Sequence, residues 1–227
     1  MSAKIQMVVF DMAGTTVNEN NVVYKTLQKA INEENFSFSL EQVLAQGAGK
    51  EKRQAIDTIL SVYNGIVDPD LTARIYDNFI VQLTDAYAKE EILPQNNATA
   101  VFAKLKQRGI FTVLNTGYDR QTAQSIVDKL GWAEGVDFDG LVTASDVERN
   151  RPNPDMIYFA MKRFGIANGA SVAKVGDSAI DIEEGKNAGC SLSIGITTGA
   201  HTFEQLRAAN PDYIINDLSE LLPIFDK

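Results

Sequence analysis

The sequence predicts an α/β protein: a doubly wound parallel sheet with a helical insertion after its first strand. Three observations carry this expectation. Ile5-Gln6-Met7-Val8-Val9-Phe10 is apolar at nearly every position, as in a strand covered on both faces. From about residue 95, short apolar runs alternate with helix-period segments, the pattern of right-handed βαβ units. Between these parts, residues 20 to about 90 show helical spacing and no strand.

The elements follow in order. In the insertion, Leu27, Ala30 and Ile31 share one helical face, as do Ala55, Ile56, Ile59, Leu60 and Tyr63. Leu71, Ile75, Phe79 and Leu83 continue the pattern. Helix 97–108 then precedes a strand at Ile110 to Leu114, and helix 119–130 precedes a short strand at Gly140-Leu141-Val142. Helix 154–165 leads to the strand Val172 to Val175, and helix 180–188 to Leu192–Ile196. A last strand near Tyr213-Ile214-Ile215 is followed by a short helix. These boundaries divide the chain into a core, 1–17 and 95–227, and an inserted unit, 18–94. Placed after strand one, the insertion would lie over the carboxyl ends of the strands, where open α/β sheets bind ligands.

Composition restricts the chemistry. The chain has 227 residues, 21 Lys+Arg against 30 Asp+Glu, a formal charge of −9, one histidine (His201) and one cysteine (Cys190). These counts exclude a zinc site of several His or Cys ligands and any disulfide within the chain. The acidic balance argues against nucleic acid or an anionic membrane as a partner. No apolar run is long enough for a membrane span, and the expected location is the cytoplasm. Carboxylates, hydroxyls, Lys and Arg must carry any catalysis.

Such residues stand where the strands end. Asp11 follows the first strand, Thr116-Gly117-Tyr118 the second, and Gly176-Asp177-Ser178 a later one, with Asp181 four residues on. Arg151-Pro152-Asn153-Pro154 opens a helix. Singly, these are ordinary turn and cap residues. Together they would converge on one crevice, where neighbouring carboxylates repel unless a cation joins them. An oxygen-only donor set suits Mg²⁺, and a hydroxyl, backbone amides and an arginine suit a phosphoryl group.

This ordered set resembles the haloacid dehalogenase-like hydrolases across nearly the full chain. The resemblance implies a Rossmann-like core with a helical cap. It casts Asp11 as the nucleophile and Thr116, with Gly117, as the phosphate-binding turn. Arg151 stands where the family usually has a basic Lys. Asp11, the Ala13 carbonyl, Asp177 and Asp181 would hold Mg²⁺. Phosphatases of the family carry a second Asp two residues after the nucleophile as acid and base, whereas this chain has Ala13. Asp11-Met12-Ala13-Gly14-Thr15 is instead similar to the phosphonatase branch, as are Thr116-Gly117-Tyr118-Asp119-Arg120 and Arg151-Pro152.

That branch cleaves a P–C bond by forming an imine between a cap lysine and the substrate's carbonyl, so that an enamine, not a free carbanion, leaves. Its Met-Gly-x-x-Lys-x-x-His pattern falls on Gln46 to Arg53, where Gly47 and Lys50 match and Gln46 and Arg53 do not. Three roles are open to Lys50. It could form the imine, with Lys52 and Arg53 lowering its pKa. It could contact an anionic group of the substrate as a specificity residue. It could be a solvated lysine in a Lys-Glu-Lys-Arg run.

The expected substrate is thus a small phosphonate, with a phosphorylated metabolite as the alternative and a non-catalytic phosphometabolite-binding protein as a third reading. Dehalogenation is disfavoured, because attack of an Asp on carbon needs no metal. The insertion's helices could pair two copies into a homodimer. Cys190 is expected as a small core residue, Trp132, Tyr76, Phe79 and Tyr87 as packing, His201 as a loop residue, and Asp137 and Asp139 as loop acids.

Overall fold

A computed structural model describes residues 4–226; the ends of the expected ranges, 1–3 and 227, lie outside the described residues. Six parallel strands form the sheet: β1 (Met7–Phe10), β4 (Phe111–Thr116), β5 (Gly140–Thr143), β6 (Val172–Gly176), β7 (Leu192–Ile196) and β8 (Tyr213–Ile215). Their order is β5-β4-β1-β6-β7-β8. The chain winds outward from β1 in both directions, so a crevice opens at the carboxyl end of β1, between β4 and β6. Phe10 pairs with Leu114 on one side and Val175 on the other, which sets Asp11, Thr116 and Asp177 side by side.

Helices α5 (Ala98–Gln107), α6 (Arg120–Lys129), α7 (Asp155–Phe164) and α8 (Ala179–Asn187) connect these strands within two residues of the expected limits. Residues of β1 fall in both apolar clusters: Val8 and Phe10 with Leu114 and Phe102, Met7 and Val9 with Val113, Met156 and Ala160. Covering on both faces explains why this strand reads as a continuous apolar run. The short helices α9 (Phe203–Ala208) and α10 (Leu221–Phe225) flank β8. The sequence predicts only the second of them, since a helix of one and a half turns shows little periodicity.

Four helices lie between β1 and α5: α1 (Val22–Asn32), α2 (Leu40–Gly47), α3 (Lys52–Asn64) and α4 (Pro69–Lys89). Their apolar stripes meet each other, with Leu27, Ala30, Ile31, Ile56, Ile59, Leu60, Ile75 and Phe79 all fully buried. Ends are set by local chemistry. Ser39 and Gln42 form a capping box at α2, Asp68 caps α4 ahead of Pro69, and Gly65 closes α3 in the left-handed conformation. The chain enters and leaves this unit through two short antiparallel strands that sequence reading missed, β2 (Val17–Asn18) and β3 (Leu93–Pro94). No helix among the described residues is long and apolar enough to cross a membrane.

Candidate active site

Asp11 stands at the end of β1, its amide donating to the Val175 carbonyl at 2.9 Å. Asp177 follows β6, and Asp181 lies in the first turn of α8. All three are buried, and one carboxylate oxygen from each lies within 4.8 Å of the others.

Arg151 binds this group together. It is 1% exposed, and all five of its N–H groups are engaged. Nε donates to Glu184 at 2.9 Å. Nη1 donates to Asp11 at 2.8 Å and to the Gly49 carbonyl at 3.1 Å. Nη2 donates to the Asn115 carbonyl at 2.8 Å and to the Asn115 side chain. Nη1 also lies 3.0 Å from Asp181. A phosphoryl contact, as first expected of Arg151, would require one of these bonds to be exchanged.

Lys174 is a second buried cation, which the sequence reading passed over. From the middle of β6 it reaches Asn115 Oδ1 at 2.7 Å, Asp181 at 2.9 Å and Glu184 at 3.2 Å. The signal was available: a lysine inside Val172-Ala173-Lys174-Val175 sits in a strand buried throughout, so it needs a charged partner. Glu184, one helical turn beyond Asp181, and Asn115, at the end of β4, were missed for the same reason. Glu184 falls inside the expected helix 180–188 and Asn115 just past the expected strand Ile110 to Leu114, and neither position by itself shows that it faces a charge.

The charges do not balance. Asp11, Asp177, Asp181 and Glu184 are four buried carboxylates, and Arg151 and Lys174 are the two cations paired with Asp11, Asp181 and Glu184. Asp177 receives no ion pair among those formed by the described residues. Its Oδ2 accepts from the Ala200 amide at 2.6 Å, and Thr15 approaches Oδ1 at 3.5 Å. Burial, then Asp11 and Asp181, push the Asp177 carboxyl well above the usual carboxylate range. Burial, then Asp181, raise Asp11 to about 6, against Arg151 and Lys174. Asp181 goes the other way: burial opposes its charge, but Arg151 and Lys174 outweigh it. An excess of two negative charges with only oxygen donors fits a divalent hard cation. Of the three clustered carboxylates, Asp177 has no cation paired with it among the described residues, whereas Asp11 is paired with Arg151 and Asp181 with Arg151 and Lys174.

Thr116 is buried beside Asp11, and its hydroxyl oxygen accepts from the Tyr118 amide at 3.2 Å. The loop between α2 and α3 closes down on this turn. A Cβ on Gly117 would lie 2.6 Å from the Lys50 carbonyl oxygen, and one on Gly49 (φ +72°) would collide with Ser178. Only glycine permits these approaches. Gln54 donates to the Arg151 carbonyl at 3.2 Å, a further tie between the inserted helices and the core.

Lys50 is half-buried. Burial lowers its pKa and the exposed Glu183 opposes that shift. The fully covered amine is Lys52, whose Nζ donates to the Lys50 carbonyl at 2.8 Å and stands over the rings of Tyr24 and Tyr118, 5.5 and 5.1 Å from their centroids. Burial lowers it to about 8, with Arg151 adding to the effect and Glu51, Asp11 and Glu19 opposing it.

Glu19 is a buried carboxylate nearby, accepting from the Val23 amide at 2.8 Å and from the Tyr87 hydroxyl at 3.3 Å. The Tyr87 and Tyr118 hydroxyls lie 2.6 Å apart, so Tyr87 is more than the packing residue first expected. Phe79 and Trp132 are packing residues, Trp132 lying 5.3 Å from the Phe102 ring. Tyr76 stacks on the Arg53 guanidinium at 3.9 Å.

Cys190 packs against the apolar cluster under the sheet, and burial pushes its thiol to about 12. His201 accepts from the Ala179 amide at 3.0 Å at the start of α8. Asp137 accepts from the Ala133 amide within its own loop, and Asp139 accepts from the Thr112 amide of β4.

Burial raises Glu19 to about 7 from the ordinary 4.5, against the bonds from Val23 and Tyr87. The folded state therefore holds this proton more tightly than the unfolded chain. The resulting stability is complete below about pH 4.5 and is lost as pH rises through 7, an effect on the order of 3 kcal/mol. Glu19→Gln removes the titration but keeps an acceptor for the Val23 amide. Wild type should lose that stability relative to the variant between pH 5 and 8 in urea unfolding. Parallel profiles would refute this account.

The sequence model of the haloacid dehalogenase-like hydrolases matches residues 5–189. The chain belongs to that family. Among haloacid dehalogenase-like relatives, a phosphonoacetaldehyde hydrolase of Bacillus cereus is 30% identical, over 87% of this chain and 77% of its own length. A Dickeya dadantii protein named "Probable phosphatase IndB" is 29% identical, over 95% of this chain and 91% of its own. The fold matches the crystal structure of a phosphonoacetaldehyde hydrolase-like protein from Oleispira antarctica, with a TM-score of 0.83, 22% identity and coverage of 99% and 92% of the two chains. A hydrolase from Pseudomonas syringae superposes with a TM-score of 0.85 at 18% identity, over 97% and 98%. The chain is thus a haloacid dehalogenase-like hydrolase with phosphatases and phosphonatases among its relatives.

Proposed function

We propose that this enzyme is an Mg²⁺-dependent, phosphonatase-like hydrolase that cleaves the P–C bond of a small carbonyl phosphonate such as phosphonoacetaldehyde. The observation that carries the reading is Ala13. The residue two places after the nucleophile has no proton to give, and an alkoxide leaving group without a proton donor typically loses ~10²–10⁴ in rate. A leaving enamine has no such need. Relatives named phosphonoacetaldehyde hydrolase point the same way.

In this reading Asp11 attacks phosphorus, and water hydrolyses the aspartyl phosphate. Arg151 fixes the Asp11 carboxylate by the bond at 2.8 Å, and Arg151 and Lys174 together keep Asp181 ionised. Thr116 and the amides of its turn, Gly117 included, receive the phosphoryl oxygens. The Asp11, Asp177 and Ala13 carbonyl oxygens would hold Mg²⁺, with Asp181 behind them; the metal supplies charge neutralisation at the transferring phosphoryl group. Residues 18–94 serve as the cap over a core of 1–17 and 95–227.

A second reading, hydrolysis of a small phosphorylated metabolite with Lys50 as a cap specificity residue, is favoured by the half-exposure of Lys50 beside Glu183. A panel of phosphonoacetaldehyde and ordinary phosphomonoesters, assayed with Mg²⁺, separates the two. The expected result is highest turnover on phosphonoacetaldehyde, and a loss on the order of 10⁴-fold or more in Asp11→Asn. Turnover of monoesters alone would replace the first reading with the second. Binding without turnover of any member would make the protein a phosphometabolite sensor.

A further inference from the structure

Asp177 stands against Asp11 and Asp181 with no cation of its own among the described residues. A carboxylate so placed is pushed away by its neighbours unless something other than an ion pair holds it. Resting on the Mg²⁺ site of the reading above, we propose that the loop after β7, residues 197–201, holds Asp177 in place for the metal, with Gly199 and Thr198 as positioning residues.

The loop meets Asp177 through its backbone. The Ala200 amide donates to Oδ2 at 2.6 Å, and the His201 amide donates to the Asp177 carbonyl at 3.2 Å. A Cβ on Gly199 would collide with the Asp177 carboxylate. The φ of Gly199 lies outside the left-handed region, so glycine is needed there for closeness and not for a turn. The turn after β1 meets the same oxygen. A Cβ on Gly14 (φ +79°) would collide with Oδ2 and lie 2.8 Å from the Gly199 Cα. Backbone at Gly14, Gly199 and Ala200 thus closes on one carboxylate oxygen.

The loop is itself fixed along its length. At its start the Thr197 amide donates to the Ile215 carbonyl at 3.1 Å, and the Thr197 hydroxyl to Asn216 at 2.8 Å. In the middle the Thr198 hydroxyl donates to the Gly14 carbonyl at 2.6 Å. That bond joins the loop to the turn that carries the Ala13 carbonyl, so two of the proposed metal donors share one frame. At its end His201 Nδ1 accepts from the Ala179 amide at 3.0 Å, where the helix bearing Asp181 begins. A ligand held in advance gives up little freedom when the ion arrives, and the groups that orient it govern affinity for that reason.

Calorimetric titration of chelator-treated protein with Mg²⁺ reads the affinity without any turnover, and melting in chelator shows whether each variant is folded. Gly199→Ala adds a methyl group where the Asp177 carboxylate lies. It should weaken Mg²⁺ binding by about 10–100-fold, the loss typical when a group that orients a metal ligand is changed. On the best substrate of the panel, its kcat at saturating Mg²⁺ should fall far less than its affinity for the ion. Thr198→Val should weaken Mg²⁺ several-fold, and Thr198→Ser, which keeps the hydroxyl, should restore the affinity of wild type. A folded Gly199→Ala that binds Mg²⁺ as wild type does, or loses kcat at saturating Mg²⁺ as fully as it loses affinity, overturns the proposal. If Gly199→Ala does not fold, Thr198→Val decides, and an affinity equal to that of wild type overturns the proposal. Each of these results leaves the Mg²⁺ reading standing, whereas wild type that binds no Mg²⁺ overturns that reading and the proposal with it.

Discussion

Arg151→Met should destabilise the protein by on the order of 3–5 kcal/mol and remove turnover, the largest effect expected of any single change in the site. Methionine fills much of the volume but donates nothing. Asp11, Asp181 and Glu184 would keep their burial and lose the guanidinium that each contacts, leaving Lys174 as the remaining cation. The Gly49 and Asn115 carbonyls would lose their donors as well. Buried carboxylates stripped of a partner must bind protons or bring in water, and either route costs more than an ordinary surface bond. Arg151→Lys should fall between: it restores one charge but not the fork that reaches five acceptors. Urea unfolding with steady-state kinetics on the same preparations measures both effects. A stability change for Arg151→Met within about 1 kcal/mol of wild type would show that the network is not what holds the core around the site.

The second large effect concerns Asp177, and its sign depends on metal. Without Mg²⁺, Asp177 is a buried carboxylate with no ion pair among the described residues, beside Asp11 and Asp181. Asp177→Asn removes that repulsion and should raise the Tm of chelator-treated protein. Wild type should gain stability on Mg²⁺ addition, by about 2.7 kcal/mol at a hundred times Kd. The variant should gain little, because amide oxygen is a weaker ligand than carboxylate for a hard cation. The two melting curves should therefore cross in order as Mg²⁺ is titrated. A variant that melts below wild type in chelator, or responds equally to Mg²⁺, would remove Asp177 from the metal site.

Much of this arrangement is legible in the residues. β1 and β6 are covered on both faces, so β1 reads as a continuous apolar run and β6 as one interrupted only by Lys174. Asp11, Thr116 and Asp177 each stand at the end of such a run, and a parallel sheet brings strand ends together whatever their distance in sequence. Ala13 is visible because it interrupts an expected pair of acids. Other features were hidden for physical reasons. β2 and β3 are two residues each, too short for any period. Lys174 and Glu184 look like ordinary members of a strand and a helix until the strand is known to be interior and the helix face to turn inward.

Lys50 and Lys52 show the division most clearly. In the sequence they are two lysines in one charged run, and pattern matching favours the first. Which of them is enclosed depends on how α3 begins and on where Tyr24 and Tyr118 meet it, one ring from the insertion and one from the core. The sequence by itself determined the fold class, the order of the motifs and the carboxylate chemistry that near-absence of His and Cys leaves available, because periodicity and residue type are local properties. Only the tertiary structure decided the pairing of three buried carboxylates with two cations, the bonds that occupy Arg151 and which of the two lysines is enclosed. Burial and charge balance are sums over residues far apart in the chain, and they exist only once those residues have been brought together.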